Sequence, residues 1–92
     1  MDTWNVYMVR CSDGSLYTGI AIDVARRVVE HNTNDALAAR YTRARRPVML
    51  VHQEKYDTRS AASKREYEIK QMGKEEKLML IVADLNITGS SC

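Results

Sequence analysis

Five polar side chains in the sequence are of types that could do chemistry together. They are Tyr7, Tyr17, Arg27, His31 and Glu66. An arginine offers a planar, always charged fork that suits phosphate oxygens, and a carboxylate can hold a metal ion. Tyrosine and histidine side chains can carry protons. Whether these groups can act together depends on the elements that position them.

The two tyrosines fall in a predicted β-hairpin. Residues 4–11 and 15–20 are rich in residues that favour strands, and the turn signal at residues 12–14 separates them. Tyrosine is itself a favoured strand residue. The pair therefore needs no function unless both side chains share a face.

The register of the hairpin decides whether they do. With a two-residue turn, Tyr17 would point away from the face that carries Tyr7. With the three-residue loop 12–14 and a left-handed Gly14, Tyr17 pairs with Val9 and lies diagonal to Tyr7, about 7–8 Å away. We predict the three-residue loop, which lets both hydroxyls reach one pocket.

Arg27 and His31 lie one turn apart on a predicted helix that Asp23 would cap and that would end near Asn32. Its predicted apolar side carries Val24, Ala25, Val28 and Val29. The opposite side carries the charged residues, including Arg27 and His31. That side could face a functional site or could simply be solvated.

Glu66 lies in a predicted helix over residues 60–72, on one stripe with Ala62 and Ile69. The stripe places Glu66 toward the interior or a pocket rim, whereas Glu68 should face solvent. A buried carboxylate needs a cation partner. The candidates are a metal ion, Arg27 and Lys70.

The remaining pattern completes an α+β domain. A helical turn is predicted within residues 35–41, and a third strand over 48–56 follows Pro47. The helix over 60–72 would be capped by Asp57 or Thr58 and ended by Gly73, and a third helix is predicted over 74–85. The predicted fold is a three-stranded antiparallel sheet in the order β-β-α-β-α-α with helices packed against it. We expect a single domain over 1–92, with a core of about 4–85 and a flexible tail at 88–92.

Charge and composition limit the kinds of partner that we expect for the protein. The net charge is +2, but residues 40–46 carry four arginines and no acid, which indicates either a polyanion partner or a solvated loop. No signal peptide is predicted, and the longest apolar run, 78–83, has six residues, so no membrane association is expected. Cys11 and Cys92 have no metal-ligand spacing and are predicted to be reduced thiols of a cytoplasmic protein.

Taken together, the motifs resemble the GIY-YIG nuclease superfamily, which is named for two short motifs on adjacent strands. The corresponding segments here are Asn5-Val6-Tyr7 and Tyr17-Thr18-Gly19. Arg27 follows Tyr17 by ten residues, where the family places a helix arginine, and His31 lies where the family commonly has His or Tyr.

The resemblance extends through the second half of the chain. The segment KREYEIKQM is similar to the family segment with a metal-binding glutamate, here Glu66, and YTRARRPV at 41–48 is similar to small stand-alone bacterial members. Two positions depart from the pattern. Asn5 replaces the first glycine, and Ile20 stands where excision-repair relatives have a lysine, which puts one phosphate contact in doubt.

The resemblance implies a metal-dependent endonuclease that hydrolyses nucleic-acid phosphodiester bonds, with DNA as the expected substrate. It implies one Mg²⁺ or Mn²⁺ held by Glu66 and bound mainly together with substrate. The implied catalytic residues are Tyr7, Tyr17, Arg27 and His31.

We expect the backbone of the nucleic acid to be contacted by Arg26, Arg40, Arg43, Arg45 and Arg46. Tyr41 could stack on a base or pack on the core. Three alternatives remain open at this stage: a module that binds nucleic acid without cleaving it, a catalytic subunit that needs a protein partner or a homodimer, and a structural interaction protein of α+β class.

Overall fold

The structure is a computed structural model that describes residues 3–90, with side chains for residues 3–83. Its elements are β1 (Trp4–Arg10), β2 (Leu16–Ala21), α1 (Val24–Thr33), α2 (Arg40–Arg43), β3 (Met49–Tyr56), α3 (Arg59–Lys70) and α4 (Lys74–Ser90). The predicted α+β class and the order β-β-α-β-α-α are confirmed, with the four-residue helix α2 in addition. The predicted tail 88–92 overlaps the end of α4 and otherwise lies outside the described residues.

The sheet has the order β2-β1-β3, with both pairs antiparallel. Tyr17 pairs with Val9 and Tyr7 pairs with Gly19, which confirms the predicted register. The loop between β1 and β2 is closed by a Cys11 N–H to Ser15 carbonyl bond of 2.8 Å. Gly14 within it has a φ of 85°, the left-handed conformation that glycine adopts without strain.

Alternate residues of β1 enter two separate cores, one on each face of the sheet. Tyr7 and Val9 pack on one face with residues of α1 and of the segment before β3, including Val24 and Val48. The opposite face buries Val6, Met8, Ala62 and Ile69, with α4 contributing Leu80 and Ile81. Helix α1 and helices α3 and α4 therefore cover opposite faces.

Asp23 caps α1 as predicted, since its carboxylate accepts from the Arg26 N–H at 3.0 Å. The predicted buried side of this helix is partly wrong: Val29 is 58% exposed, whereas His31 is completely buried. The helix is rotated so that its inward side runs through Val24 and His31. Burial of the imidazole is compensated because both ring nitrogens form hydrogen bonds.

The segment between α1 and β3 contains the helical turn predicted within residues 35–41. The Asn34 carbonyl accepts from the Ala38 N–H at 2.9 Å, and the Asn34 side chain caps the turn by accepting from the N–H groups of Ala36 and Leu37, both at 3.0 Å. The four-residue helix α2, Arg40–Arg43, follows this turn. The end of α3 differs from its prediction, because it lies at Lys70 and not next to Gly73.

A carboxylate on β3 links the sheet to α3. Glu54 accepts hydrogen bonds from Arg65 Nε at 2.9 Å, from the Tyr56 hydroxyl at 2.6 Å and from His52 Nε2 at 2.6 Å. Burial alone would raise the pKa of Glu54, but these three donors together hold it at about 2.

Because the pKa of Glu54 is lowered, the free energy of unfolding depends on pH. Because the carboxylate is favoured in the folded state, its contribution is present above about pH 4.5, the ordinary pKa of Glu54, and is lost as the pH falls towards 2. We expect wild type to exceed Glu54→Gln in free energy of unfolding by roughly 2–3 kcal/mol near neutral pH and by progressively less below pH 4. Urea denaturation from pH 7 to pH 3 measures this difference. A constant difference across the range would contradict the assignment.

Two smaller findings bear on expectations from the sequence. Cys11 is a buried free thiol, and burial raises its pKa; Cys92 lies outside the described residues. Within residues 3–90, no helix has both the length and the apolar character needed to cross a membrane.

Candidate active site

A chain of three side chains runs from β1 through α1 to α2. The Tyr7 hydroxyl lies 2.7 Å from His31 Nε2, and His31 Nδ1 lies 2.7 Å from the Thr42 hydroxyl. The Thr42 hydroxyl donates in turn to the Ala39 carbonyl at 3.0 Å. Tyr7, His31 and Thr42 are all essentially inaccessible to solvent. The structure thus brings two of the predicted catalytic residues, Tyr7 and His31, into direct contact.

Tyr17 joins this group from β2. Its ring centroid lies 5.4 Å from that of His31 in an edge-on arrangement and 5.9 Å from that of Tyr41 in a stacked one. The Arg45 guanidinium lies 4.0 Å from the centroid of Tyr41. The Tyr41 ring contacts Tyr17 and Arg45 but remains 37% exposed, so stacking on a base stays a prediction.

The protonation states follow from this packing. Burial raises the pKa of Tyr7 to about 12, and the neighbouring Tyr17 and Glu66 add to the rise while Arg27 opposes it. Burial lowers the pKa of His31 to about 4, and Arg27 lowers it further. Near neutral pH the proton therefore resides on Tyr7, and His31 is a neutral imidazole able to accept it.

Arg27 lies beside the tyrosines on α1. Its Nη1 donates to Glu30 at 3.2 Å and to the Leu37 carbonyl at 2.6 Å, and its side chain is 27% exposed. These partners orient the guanidinium, while the charge remains close enough to Tyr7 to affect the phenol pKa. The group is held in place and still reachable from solvent.

Glu66 reaches the site from α3. Its predicted neighbours on the stripe, Ala62 and Ile69, are buried, and Glu68 faces solvent as predicted. Of the cation partners considered, the structure shows Lys70, at 3.3 Å. The Lys70 ammonium lies 5.9 Å from the centroid of the Tyr17 ring, so the Glu66–Lys70 pair lies beside Tyr17. The Glu66 charge also contributes to the raised pKa of Tyr7.

The Glu66 carboxylate suits a hard cation. Glu66 is 23% exposed, so its carboxylate can be reached from solvent. Within the described side chains, no three His, Cys, Asp or Glu residues converge on one point. A single carboxylate fits Mg²⁺, which keeps several waters and takes further oxygens from substrate phosphate.

Gly19 creates the space that Tyr7 occupies. A Cβ atom at this position would lie 2.7 Å from the Tyr7 hydroxyl and 2.9 Å from Cζ of the same ring. The two residues are directly paired across β1 and β2. The ring therefore lies over the bare backbone of Gly19, and any side chain there would displace the hydroxyl from His31.

We expect Gly19→Ala to lower the free energy of unfolding by about 1–3 kcal/mol, as overpacking usually does. We also expect it to reduce any Tyr7-dependent cleavage about 10- to 100-fold, since a misplacement of 1 Å can cost 10²-fold. Gly73→Ala is the matched control, because its Cβ would meet only a Glu76 oxygen at 3.9 Å. If both variants cleaved at equal rates per folded molecule, the position of the Tyr7 ring would not depend on Gly19.

The predicted nucleic-acid arginines have different surroundings. Arg40, Arg43 and Arg45 line an open groove of about 560 Å³ together with Tyr41. Arg26 is 75% exposed and pairs with Glu30 at 3.2 Å.

Arg46 points inward. Its Nε donates to the His31 carbonyl at 2.6 Å and its Nη1 to Asp35 at 2.7 Å. These contacts fasten the segment to the C-terminal end of α1. Asn32 adds a second fastening, since its side chain donates to and accepts from the backbone of Val48, at 3.0 and 2.7 Å.

Sequence reasoning missed two residues of this site. The contact of Thr42 with His31 joins positions eleven residues apart across a segment whose structure the pattern left ambiguous. The role of Gly19 depends on a cross-strand partner, which becomes visible only once the register is known. The signal for Gly19 was available, because the predicted register already places it opposite Tyr7.

Comparison with known proteins agrees with this arrangement. The chain matches the model of the GIY-YIG catalytic domain over residues 3–79, most of its length. The chain therefore belongs to the GIY-YIG family, a family of nucleases. Within it, the similar proteins are small bacterial UPF0213 proteins.

Two of these relatives show the extent of the similarity. A UPF0213 protein of Desulfotalea psychrophila is 58% identical over 80 residues, which cover 87% of this chain and 72% of the relative. One from Staphylococcus saprophyticus is 53% identical over 81 residues, which cover 88% of this chain and 96% of the relative.

Solved structures show the same fold. The solution NMR structure of a UPF0213 protein from Bacillus halodurans is 36% identical, with a TM-score of 0.57 over 88% of this chain and 84% of that one. The solution NMR structure of a protein from E. faecalis is 35% identical, with a TM-score of 0.59 over 92% and 93%.

Proposed function

We propose that the protein is a metal-dependent endonuclease that hydrolyses phosphodiester bonds in DNA. The observation that carries this proposal is the buried Tyr7–His31 pair, with Tyr17 in contact with the imidazole and Arg27 and Glu66 beside the two tyrosines. A base, a phosphate-binding cation and a carboxylate that can hold a metal are what hydrolysis of a phosphodiester requires.

Tyr7 is the proposed general base. Buried Tyr7, with a pKa of about 12, is a poor base near neutral pH because it keeps its proton. His31 Nε2 is the neighbouring acceptor for that proton, but with a pKa of about 4 it takes the proton unfavourably in the free protein. The negative charge of a bound phosphate would favour the imidazolium. In the substrate complex Tyr7 therefore takes a proton from the attacking water as it passes its own to His31 Nε2, and the water attacks phosphorus in line. Tyr17 positions the water or a phosphate oxygen.

Arg27 stabilises the negative charge that develops on the phosphoryl oxygens. Its Nη1 contacts with Glu30 and Leu37 hold the guanidinium in place before substrate binds, and such preorganised charge is most effective in catalysis. Glu66 would hold one Mg²⁺ or Mn²⁺ together with water and substrate oxygens, and a bound ion there supplies positive charge for the leaving oxygen.

The groove formed by Arg40, Tyr41, Arg43 and Arg45 is the proposed contact with the nucleic-acid backbone, with Arg26 adding charge from α1. Such contacts to phosphate give affinity that is independent of sequence and falls as salt rises. Arg46, which is 24% exposed and bonded to α1, is proposed to act mainly by shaping this segment.

The test is incubation of the purified protein with labelled single-stranded, duplex and branched DNA at low salt, in Mn²⁺, Mg²⁺ or EDTA. We expect cleavage with either metal and none in EDTA. Binding without cleavage of any substrate would overturn the proposal for the isolated chain. That outcome would favour a binding module or a catalytic subunit that needs a protein partner or a second copy.

A further inference from the structure

We propose that Thr42 is a positioning residue that holds the His31 imidazole in the tautomer with hydrogen on Nδ1, so that Nε2 accepts the hydrogen bond from Tyr7. Thr42 lies on α2, outside the strands and helices that carry the five residues singled out for chemistry. The Thr42 hydroxyl lies 2.7 Å from His31 Nδ1, and the Tyr7 hydroxyl lies 2.7 Å from His31 Nε2.

Two arrangements of hydrogen atoms are compatible with these positions. In the first, Tyr7 donates to Nε2, Nδ1 donates to Thr42, and Thr42 donates to the Ala39 carbonyl at 3.0 Å. In the second, Nε2 donates to Tyr7, and Nδ1 accepts both from Thr42 and from the Ala39 N–H at 3.4 Å. Each arrangement contains three hydrogen bonds, so the comparison depends on the bond that each one loses.

The first arrangement is the more stable one for two reasons. It loses only the 3.4 Å contact from the Ala39 N–H, which is long for a hydrogen bond, whereas the second loses the 3.0 Å bond to the Ala39 carbonyl. A phenol is also a better donor than a neutral imidazole N–H, and an imidazole nitrogen is a better acceptor than a phenol oxygen. Both reasons place the hydrogen on Nδ1.

Burial makes Thr42 hard to replace in this role. Thr42 and His31 have no exposed surface, so bulk water has no direct access to supply the acceptor for Nδ1–H if the hydroxyl is removed. Without that acceptor the tautomer with hydrogen on Nε2 becomes favoured, and its ring can no longer take a proton from Tyr7. The assignment of the His31 tautomer depends only on the hydrogen-bond geometry. Its consequence for cleavage rests on the proposed function.

The experiment is measurement of the ¹⁵N chemical shifts of both imidazole nitrogens of His31 by long-range ¹H–¹⁵N correlation, in the wild-type protein and in Thr42→Val and Thr42→Ser. Valine has nearly the shape of threonine without the hydroxyl, and serine keeps the hydroxyl. Cleavage of labelled DNA is measured on the same samples, and the ring signals of His52 on the other face of the sheet serve as an internal reference.

We expect hydrogen on Nδ1 in wild type and in Thr42→Ser, and a shift of the population towards the Nε2–H tautomer in Thr42→Val. Cleavage should fall roughly 10- to 100-fold in Thr42→Val and recover in Thr42→Ser, a factor of the size that follows loss of the partner that orients a metal-binding histidine. Hydrogen on Nε2 in wild type would overturn the inference without any variant, and so would an unchanged tautomer in folded Thr42→Val. A tautomer that switches in a protein that never cleaves DNA would support the role of Thr42 and overturn the proposed nuclease function instead.

Discussion

Replacing Glu66 with alanine is expected to abolish metal-dependent cleavage, with a fall in rate of roughly 10²- to 10³-fold, while DNA binding in EDTA persists. The reason is that a metal ion supplies several kcal/mol of charge stabilisation in the transition state, and each 1.36 kcal/mol corresponds to about tenfold in rate. The measurement compares cleavage by wild type and variant across a range of Mn²⁺ and Mg²⁺ concentrations. Binding is followed by fluorescence anisotropy in EDTA.

Glu68→Ala provides a matched control on the same helix. Each glutamate forms an ion pair on α3, Glu66 with Lys70 at 3.3 Å and Glu68 with Arg65 at 3.4 Å. Either substitution removes one negative charge and one partly exposed ion pair, which is worth about 0–1 kcal/mol. Cleavage should therefore be lost in Glu66→Ala and retained in Glu68→Ala. Equal losses in both would point to the stability or charge of α3 and not to metal binding.

Tyr7→Phe is the second change with a large expected effect, a fall in kcat of about 10²- to 10⁴-fold. The substitution removes the hydroxyl that we propose takes the proton from water, and general base catalysis typically contributes a factor of that size. It also leaves His31 Nε2 without its 2.7 Å partner in a buried site, which costs about 1–3 kcal/mol of stability. Single-turnover cleavage at saturating enzyme separates the chemical step from binding.

Tyr56→Phe controls for the loss of stability. The Tyr56 hydroxyl donates to Glu54 at 2.6 Å, so this variant also loses a hydrogen bond to a partly buried partner. Its location on the opposite face of the sheet keeps it away from His31. If Tyr7→Phe cleaved as fast as Tyr56→Phe at equal folded concentrations, Tyr7 would not be the base.

Much of the fold could be predicted because short-range signals were strong. Gly14 in a three-residue loop determined the strand register, and Asp23 identified the start of α1 through its capping side chain. The same register placed Tyr7 and Tyr17 on one face of the sheet, so the position of these two side chains relative to each other could be predicted. The helical stripe was right for Ala62 and Ile69, which are buried, whereas Glu66 on the same stripe is 23% exposed and pairs with Lys70.

The errors arose where tertiary contacts outweighed local pattern. A helical wheel treats His31 as polar and therefore outward, but hydrogen bonds at both ring nitrogens make its burial favourable and leave the apolar Val29 in solvent. This effect has no periodic signature, so it required the three-dimensional structure.

The internal bonds of the arginine segment also bear on the entropy of binding. Arg43 donates to the Asp35 carbonyl, Arg45 pairs with Asp13, and Arg46 is bonded to the end of α1. Immobilising a long side chain at an interface typically costs about 0.5–1.5 kcal/mol. Guanidinium groups that are already held have fewer rotamers left to lose when they meet a phosphate. This folded segment should therefore bind a polyanion with a smaller entropic penalty than a free peptide of the same composition.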